Sequence, residues 1–206
     1  MIFFFPALAV VGGWIYTEIC GYFLHILLHS ENVPYLSRNH MIHHLRIYSP
    51  RRSLRPSGAY LSSTDGRASV LGTGMEWLGP IGIIISITFG ISELLRVDRI
   101  YFLLFTCSAL LWGYFLFGYM HDAMHLSSFW MERVPALARW YHGIRKLHDI
   151  HHRQISDDGR MSTNFGICFF FMDRIFGTFS PRHKPFNATG YETAEKRYAD
   201  LLNVSA

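Results

Sequence analysis

The sequence predicts an all-α integral membrane protein with about three transmembrane helices plus interfacial or cytoplasmic helices, in a single domain over residues 1–206. Half of the residues are hydrophobic and only 17% are charged, which is too apolar for an ordinary soluble domain. Three long apolar stretches alternate with polar segments, and ten of the twelve histidines fall in four short clusters. The net charge of +4 is modest and no dense basic run alternates with aromatic residues, so we expect no nucleic-acid partner.

The first apolar stretch, residues 2–24, is long enough to cross a bilayer, and Glu18 is its only charge. A cleaved signal peptide is disfavoured because no basic region precedes the stretch. A helix continuing to His29 would be about 42 Å long, against a hydrocarbon core of about 30 Å, so we expect His25 and His29 at or just beyond the membrane surface. Glu18 is interpreted as the partner of a polar group on a neighbouring helix, in preference to a functional role within the membrane.

Residues 77–95 and 100–120 predict a helical hairpin, with residues 96–99 as its turn. One crossing followed by a hairpin brings all four histidine clusters to the same membrane face. Seventeen of the nineteen Lys and Arg residues lie on that face, which predicts that it is cytoplasmic. The membrane would be the inner membrane of a bacterium or the endoplasmic reticulum of a eukaryote.

The remaining segments are expected near the membrane surface. Residues 46–74 are rich in Arg, Ser, Gly and Pro and predict a loop on the histidine side. Residues 127–146 are amphipathic and predict one or two helices in the plane of the interface. Residues 165–179 are apolar but short, which favours a re-entrant or interfacial helix over a crossing. The tail from Pro181 is polar and predicts nothing specific.

The histidine clusters follow one pattern, HxxxH and then HxxHH, which occurs twice. Residues three and four apart lie on one face of a helix, so each cluster aims two or three imidazoles at one point. The neighbours are apolar rather than solvated, which favours a polynuclear metal site over a histidine-rich surface tract. The candidate metal ligands are His25, His29, His40, His43, His44, His121, His125, His148, His151 and His152.

Ten imidazoles are too many for one ion and suit two. Imidazole binds Zn, Cu, Fe and Ni alike, whereas structural zinc usually has four ligands, often including cysteine, and no cysteine lies in a cluster. Two metal ions framed by apolar helices at a membrane face indicate a redox reaction on a lipid. Activation of O₂ requires a metal that changes oxidation state, which iron does and zinc does not. Two Fe ions with O₂ as co-substrate would meet this requirement, and zinc can replace iron in the purified protein.

The order HxxxH, HxxHH, HxxxH, HxxHH around a helical hairpin resembles the fatty acid hydroxylase / sterol desaturase superfamily of integral-membrane di-iron enzymes. The NFG sequence at residues 164–166 and the DRIFGT sequence at residues 173–178 are similar to the NFG…DRxFGT ending of that family. The resemblance covers a histidine-box core of about residues 25–178. It implies hydroxylation or desaturation of a fatty acyl or sterol-like lipid, with the ten clustered histidines as the di-iron ligands.

The resemblance also implies a separate electron donor of the cytochrome b5 or ferredoxin type, with its reductase, because no donor domain fits within this sequence. Bacterial β-carotene hydroxylase shares the compact size and a His-Asp pair like that at His121, so a carotenoid is the alternative substrate. The alternative of a different class is a histidine-rich membrane protein that binds or transports metal. It is weaker, because a transporter needs a polar path and the spans offer only Glu18 and Glu93 as charges.

Four residues near the clusters are candidates for supporting roles. His142, six positions before His148, is expected either to orient a ligand or to pack at the interface. Asn164 follows the last cluster closely enough to approach a metal, directly or through water. Asp122 and Asp149 each follow a ligand histidine, where they would accept a free ring N–H or face solvent. No separate acid or base is assigned, so catalysis is attributed to the metal centre itself.

Overall fold

Helices are the main regular structure of the described chain, which in this computed structural model covers residues 4–56, 59–62, 69–70 and 73–203. The α-helices are α1 (Phe4–Leu28), α2 (Pro34–Ile42), α3 (Leu78–Leu94), α4 (Arg99–Gly113), α5 (His121–Met124), α6 (Pro135–Arg153), α7 (Phe171–Phe176), α8 (Ala188–Arg197) and α9 (Ala199–Leu202). The predicted all-α class is confirmed.

Shorter elements connect these helices. Two π-helical segments, His43–Ile47 and Tyr114–Met120, follow α2 and α4. Two 3₁₀ turns, Met75–Trp77 and Trp130–Arg133, precede α3 and α6. Two-residue strands β1 (Ser69–Val70) and β2 (Thr73–Gly74) pair antiparallel, with Ser69 opposite Gly74. The extended structure in the described residues is thus limited to short pairings.

Two helices among the described residues are long and apolar enough to cross a membrane. They are Phe5–Leu28, within α1, and Arg99–Met124, which joins α4, the second π-helical segment and α5. The third predicted crossing corresponds to α3, whose 17 residues extend only about 26 Å, against about 30 Å for the hydrocarbon core. Its predicted start at Trp77 belongs instead to a 3₁₀ turn. The third crossing therefore remains a prediction.

A glycine lies where α1 and α4 cross. A Cβ atom at Gly13 would lie 2.5 Å from the carbonyl oxygen of Phe105, so a side chain at this position would force the helices apart. Nearby, the hydroxyl of Thr17 donates to the carbonyl of Ala109 at 2.9 Å. Small residues and interhelical hydrogen bonds are the usual means of helix association in lipid. They hold α4, and with it the histidines that follow, against α1.

Glu18 is buried in the same interface. The indole N–H of Trp112 on α4 donates to Oε1 of Glu18 at 3.2 Å, and the Trp112 ring stacks on Trp14 with centroids 5.3 Å apart. The interpretation of Glu18 as the partner of a polar group on a neighbouring helix is confirmed.

The predicted turn between α3 and α4 is present. Arg96 has a φ of 54° just beyond the end of α3, and α4 begins at Arg99. A left-handed residue at this position is a common way for a helix to end. Close to the turn, the rings of Phe89 and Phe102 pack edge to face at 5.3 Å.

The second half of the chain differs from the prediction in the extent of its helices. The amphipathic segment at residues 127–146 does not end before the last cluster, because α6 runs unbroken to Arg153 and carries that cluster. Residues 165–179 do not form one long interfacial helix. Only α7 is helical there, and it ends at Gly177 with a φ of 72°.

The described part of the predicted loop at residues 46–74 includes helical and buried residues. The first π-helical segment reaches Ile47, and the side chains of Tyr48 and Leu54 are buried. The ring of Tyr48 stacks on His125 with centroids 3.9 Å apart, so this segment packs on the histidines. Arg67, which was expected in the loop, lies outside the described residues.

The tail from Pro181 has a structure that its polar composition does not predict. Asn187 caps α8 by accepting the N–H of Gly190 at 3.0 Å. The fully buried Tyr198 donates its hydroxyl to the carbonyl of His29 at 2.7 Å. The tail therefore packs beside the first two histidine clusters, with its apolar contacts to α2 centred on Met41.

Candidate metal centre

All ten clustered histidines come together in one site, eight of them buried and His40 and His121 partly buried. Two groups can be distinguished, and within each group one nitrogen of every ring lies within 4.8 Å of the others. The first histidine group consists of His25, His29, His40, His44 and His151. The second histidine group consists of His43, His121, His125 and His148.

Ring nitrogens within the groups approach one another closely. In the first group, Nε2 of His29 lies 3.2 Å from Nε2 of His151 and 3.1 Å from Nε2 of His40. In the second group, Nε2 of His148 lies 2.9 Å from Nε2 of His125. Each group therefore gathers its ring nitrogens around one point.

His152 lies between the two groups. Its ring stacks on His44 with centroids 3.9 Å apart, and it lies 5.0 Å from His43 and 4.7 Å from His125. Together with His43 and His44 it forms a third, overlapping set of nitrogens. The two groups are therefore neighbours within one site.

The first π-helical segment allows two consecutive residues to serve different groups. It begins at His43, whose carbonyl accepts the N–H of Tyr48 five residues later at 2.8 Å. His43 belongs to the second group and His44 to the first. Widened turns of this kind occur frequently at functional sites. The second such segment, Tyr114–Met120, leads directly into His121.

Backbone carbonyls fix the orientation of four of the rings. The Nδ1 atoms of His25, His125, His151 and His152 face the carbonyl oxygens of Phe165, Leu54, Thr163 and Tyr48, at 2.5, 3.2, 2.7 and 3.3 Å. A carbonyl can only accept, so each Nδ1 carries the proton and each Nε2 presents its lone pair. Such contacts orient metal-binding histidines and set their tautomer.

Burial keeps these imidazoles neutral. It lowers the pKa of His151 to about 4, and it places the pKa values of His44, His148 and His152 well below the ordinary value. Neutral imidazole is the form that binds a metal ion. The site is therefore ready to bind cations at neutral pH without first losing protons.

The arrangement fits metal ions. Two ligand nitrogens, each about 2.1 Å from one ion and at right angles, lie about 3.0 Å apart, close to the observed Nε2 separations of 2.9–3.2 Å. Nε2 of His25, His43, His44, His121 and His152 is buried without a hydrogen-bond partner. Buried polar nitrogens are costly unless they are paired, and a bound cation would pair them.

The family model described as fatty acid hydroxylase matches residues 79–178. Over this segment the chain is similar to the fatty acid hydroxylase family. The predicted resemblance is confirmed, and the family implies an oxidoreductase in general. The third and fourth clusters lie inside the matched segment, and the first two precede it. No curated protein and no solved structure matches the chain.

Two of the predicted supporting residues lie beside the histidine groups. Asp122 lies beside its neighbour in the chain, with Oδ1 3.4 Å from Nδ1 of His121. Asp149 does not contact a histidine ring nitrogen through a hydrogen bond, and instead forms an ion pair with Arg55. Arg55 directly follows Leu54, whose carbonyl holds His125. Asp149 is thus connected to the site through Arg55 and the neighbouring backbone of Leu54.

The other two candidates lie away from the ring nitrogens. His142 is exposed on α6, where its Nδ1 accepts from Arg145 at 3.0 Å. Asn164 has a φ of 56°, and its amide is bonded to backbone. The amide nitrogen donates to the carbonyls of Leu147 and Ser180, at 3.2 and 2.8 Å, and its oxygen accepts the N–H of Ser180 at 2.8 Å. The side chain of Asn164 therefore holds the loop after α6 rather than facing the histidines.

The backbone carbonyls that hold the rings were missed by the sequence analysis. They belong to Tyr48, Leu54, Thr163 and Phe165. A carbonyl group is common to every residue, so no residue type marks these positions. The NFG sequence, which includes Phe165, was the nearest available signal.

Proposed function

We propose that this chain, which is similar to the fatty acid hydroxylase family over residues 79–178, is a membrane-bound di-iron oxygenase that hydroxylates or desaturates a lipid, of the fatty acyl or sterol-like class. The observation that carries the proposal is the pair of adjacent histidine groups, each with ring nitrogens gathered around one point. Ten imidazoles without a cysteine or carboxylate among them suit two ions of a borderline metal. The oxidising chemistry expected of the family favours iron over zinc.

Each ion would have its own ligand set. His25, His29, His40, His44 and His151 would hold one, and His43, His121, His125 and His148 the other. His152, which stacks on His44 and lies near His125, would complete either set. The irons would supply the redox chemistry that activates O₂, using electrons from a separate carrier protein with its reductase.

We expect the reaction to take place at a membrane boundary. The first group begins with His25 in the last turn of α1, and the second includes His121, where the other membrane-crossing helix continues from α4 into α5. A lipid chain beside these two helices would reach the ligands without leaving the membrane boundary. Holding one C–H bond against the centre is the entropic part of the catalysis.

Burial of the ring nitrogens limits access of water. His44, His148, His151 and His152 have no exposed surface. A dry site suppresses side reactions of an activated oxidant and strengthens the electrostatic interactions of the ions with their ligands. The basic residues on the histidine side favour a cytoplasmic location for the site.

The test is metal and product analysis of the detergent-purified protein expressed with iron supplied. We expect two irons per chain, and hydroxylated or desaturated lipids after incubation with O₂ and a ferredoxin or cytochrome b5 reducing system. His183→Ala, which alters an exposed histidine outside both groups, should change neither result. A centre that binds no metal after anaerobic iron reconstitution would contradict the proposal. Metal uptake into vesicles without lipid oxidation would instead favour a transport protein.

A further inference from the structure

The carboxylate of Asp173 on α7 is fully buried and binds one loop with both oxygens. Oδ1 accepts the N–H of Phe165 at 2.7 Å and the hydroxyl of Thr178 at 2.8 Å, and Oδ2 accepts the N–H of Gly166 at 2.8 Å. A carboxylate bonded to two consecutive backbone N–H groups fixes the direction of the peptide units that carry them.

The carboxylate of Asp173 also lies unusually close to the backbone of this loop. A Cβ atom at Gly166 would lie 2.8 Å from Oδ2 of Asp173, so the carboxylate approaches the backbone at a distance that only glycine permits. On the other side, the side chain of Asn164 is bonded to the backbone of Leu147 and Ser180. The loop is therefore held from both ends of its NFG sequence.

Two carbonyls of this loop face the first histidine group. The carbonyl of Thr163 accepts Nδ1–H of His151 at 2.7 Å, and the carbonyl of Phe165 accepts Nδ1–H of His25 at 2.5 Å. These rings come from α6 and α1, and both turn Nε2 towards the same group. The loop thus aligns two ligands from different helices.

We propose that Asp173 is a positioning residue for the first histidine group, acting through the carbonyls of Thr163 and Phe165 on His151 and His25. Asp173 does not touch a ring nitrogen of the site, and its effect passes through the loop that it holds. The inference rests on the proposed function in one respect, namely that the first group binds a metal ion.

The second group has a different anchor, which supplies a matched control. The carbonyl of Leu54 holds Nδ1 of His125 at 3.2 Å, and the adjacent Arg55 is tied to α6 by its ion pair with Asp149. Asp149 is therefore linked to the second group through the side chain of Arg55, whereas Asp173 is linked to the first group through backbone N–H groups of its loop. Replacing each carboxylate by its amide should affect one group and spare the other.

The experiment is a Co²⁺ titration followed by the visible absorption of the bound ion, with affinities set by competition with a chelator. The double variant His121→Ala/His148→Ala lacks two ligands of the second group, so it measures Co²⁺ binding at the first group alone. The double variant His29→Ala/His40→Ala lacks two ligands of the first group, so it measures binding at the second group alone. In the first background, Asp173→Asn should weaken Co²⁺ binding by about 10- to 100-fold and change the absorption spectrum, as loss of such outer contacts does elsewhere. In the second background it should leave the affinity unchanged. Asp149→Asn should show the reverse pattern.

The outcomes separate the inference from the proposed function. If Asp173→Asn keeps the parental affinity in the first background, or weakens both groups equally as general destabilisation would, the inference fails. If the parental proteins bind no Co²⁺ at either group, the proposed function fails instead. Should Asp173→Asn not fold, Thr178→Val, which removes one donor to the carboxylate, must weaken the first group selectively. Equal affinity in that variant would also overturn the inference.

Discussion

The imidazole rings of His44 and His152 lie face to face, with centroids 3.9 Å apart and planes inclined by 19°. One belongs to the second cluster in the sequence and the other to the fourth. Their contact lies where the two histidine groups meet, since His43 of the second group is 5.0 Å from the same His152 ring. The two halves of the repeated pattern therefore interlock and do not form separate sites.

Because the two halves of the pattern interlock, the structure predicts whether a histidine substitution removes the metal ion of the first group or that of the second. His151 comes from the second half of the repeated pattern but belongs to the first group, whose other members come from the first half. His43 comes from the first half but belongs to the second group, whose other members come from the second half. Each of the variants His151→Ala and His43→Ala should lower the metal content from two ions per chain to one. Elemental analysis of purified protein measures this. A variant that keeps both ions and full activity would contradict the assignment of that ligand.

Where α1 crosses α4, a methyl group should be tolerated at Gly12 but not at Gly13. A Cβ at Gly13 would lie 2.5 Å from the carbonyl of Phe105, whereas a Cβ at Gly12 would meet the ring of Phe105 at an ordinary 3.6 Å. We expect Gly13→Ala to reduce the free energy of unfolding by about 1–3 kcal/mol, the usual cost of overpacking. Thermal unfolding in detergent measures it, with Gly12→Ala as the control. Equal stability of the two variants would show that the helices do not cross as described.

The hydroxyl of Tyr198 should contribute to the stability of the histidine side. It donates to the carbonyl of His29 at 2.7 Å in a buried setting. Tyr198→Phe leaves that carbonyl without its partner and should cost about 1–3 kcal/mol of unfolding free energy. Tyr114→Phe, which alters an exposed tyrosine of the second π-helical segment, should change the unfolding free energy little. If both substitutions have the same effect, the tail does not pack on the end of α1.

The metal-free protein should lose stability in mild acid. Burial lowers the pKa of His151 to about 4 in the folded state, against about 6.5 in an unfolded chain. Between these values the unfolded chain binds a proton that the folded chain does not, so unfolding becomes easier as pH falls. The contribution of the neutral His151 ring to folding stability is complete above about pH 6.5 and is lost as the pH approaches 4. The Tm of chelator-treated protein should therefore fall between pH 7 and pH 5, and a constant or rising Tm would disagree.

Local sequence patterns predicted which helices and turns are present better than they predicted where each helix ends. The turn around Arg96 follows from a short polar interruption between apolar runs, and the structure has it. The short helix α7 is held by contacts with residues outside it, such as the bonds of Asp173 to Phe165 and Gly166. Helical periodicity carries no information about such contacts, since it describes one segment at a time.

The sequence by itself determined the all-α class, the apolar helices and the ten histidines, because hydropathy, helical spacing and residue chemistry are local properties. The resemblance to the fatty acid hydroxylase family follows from the same local motifs. Only the tertiary structure decided how the histidines are divided between groups, since His43 and His44 are neighbours in the chain but serve different groups. Tertiary structure also decided which carbonyls hold the rings, because a backbone group gains its role from its position in space and not from the type of its side chain.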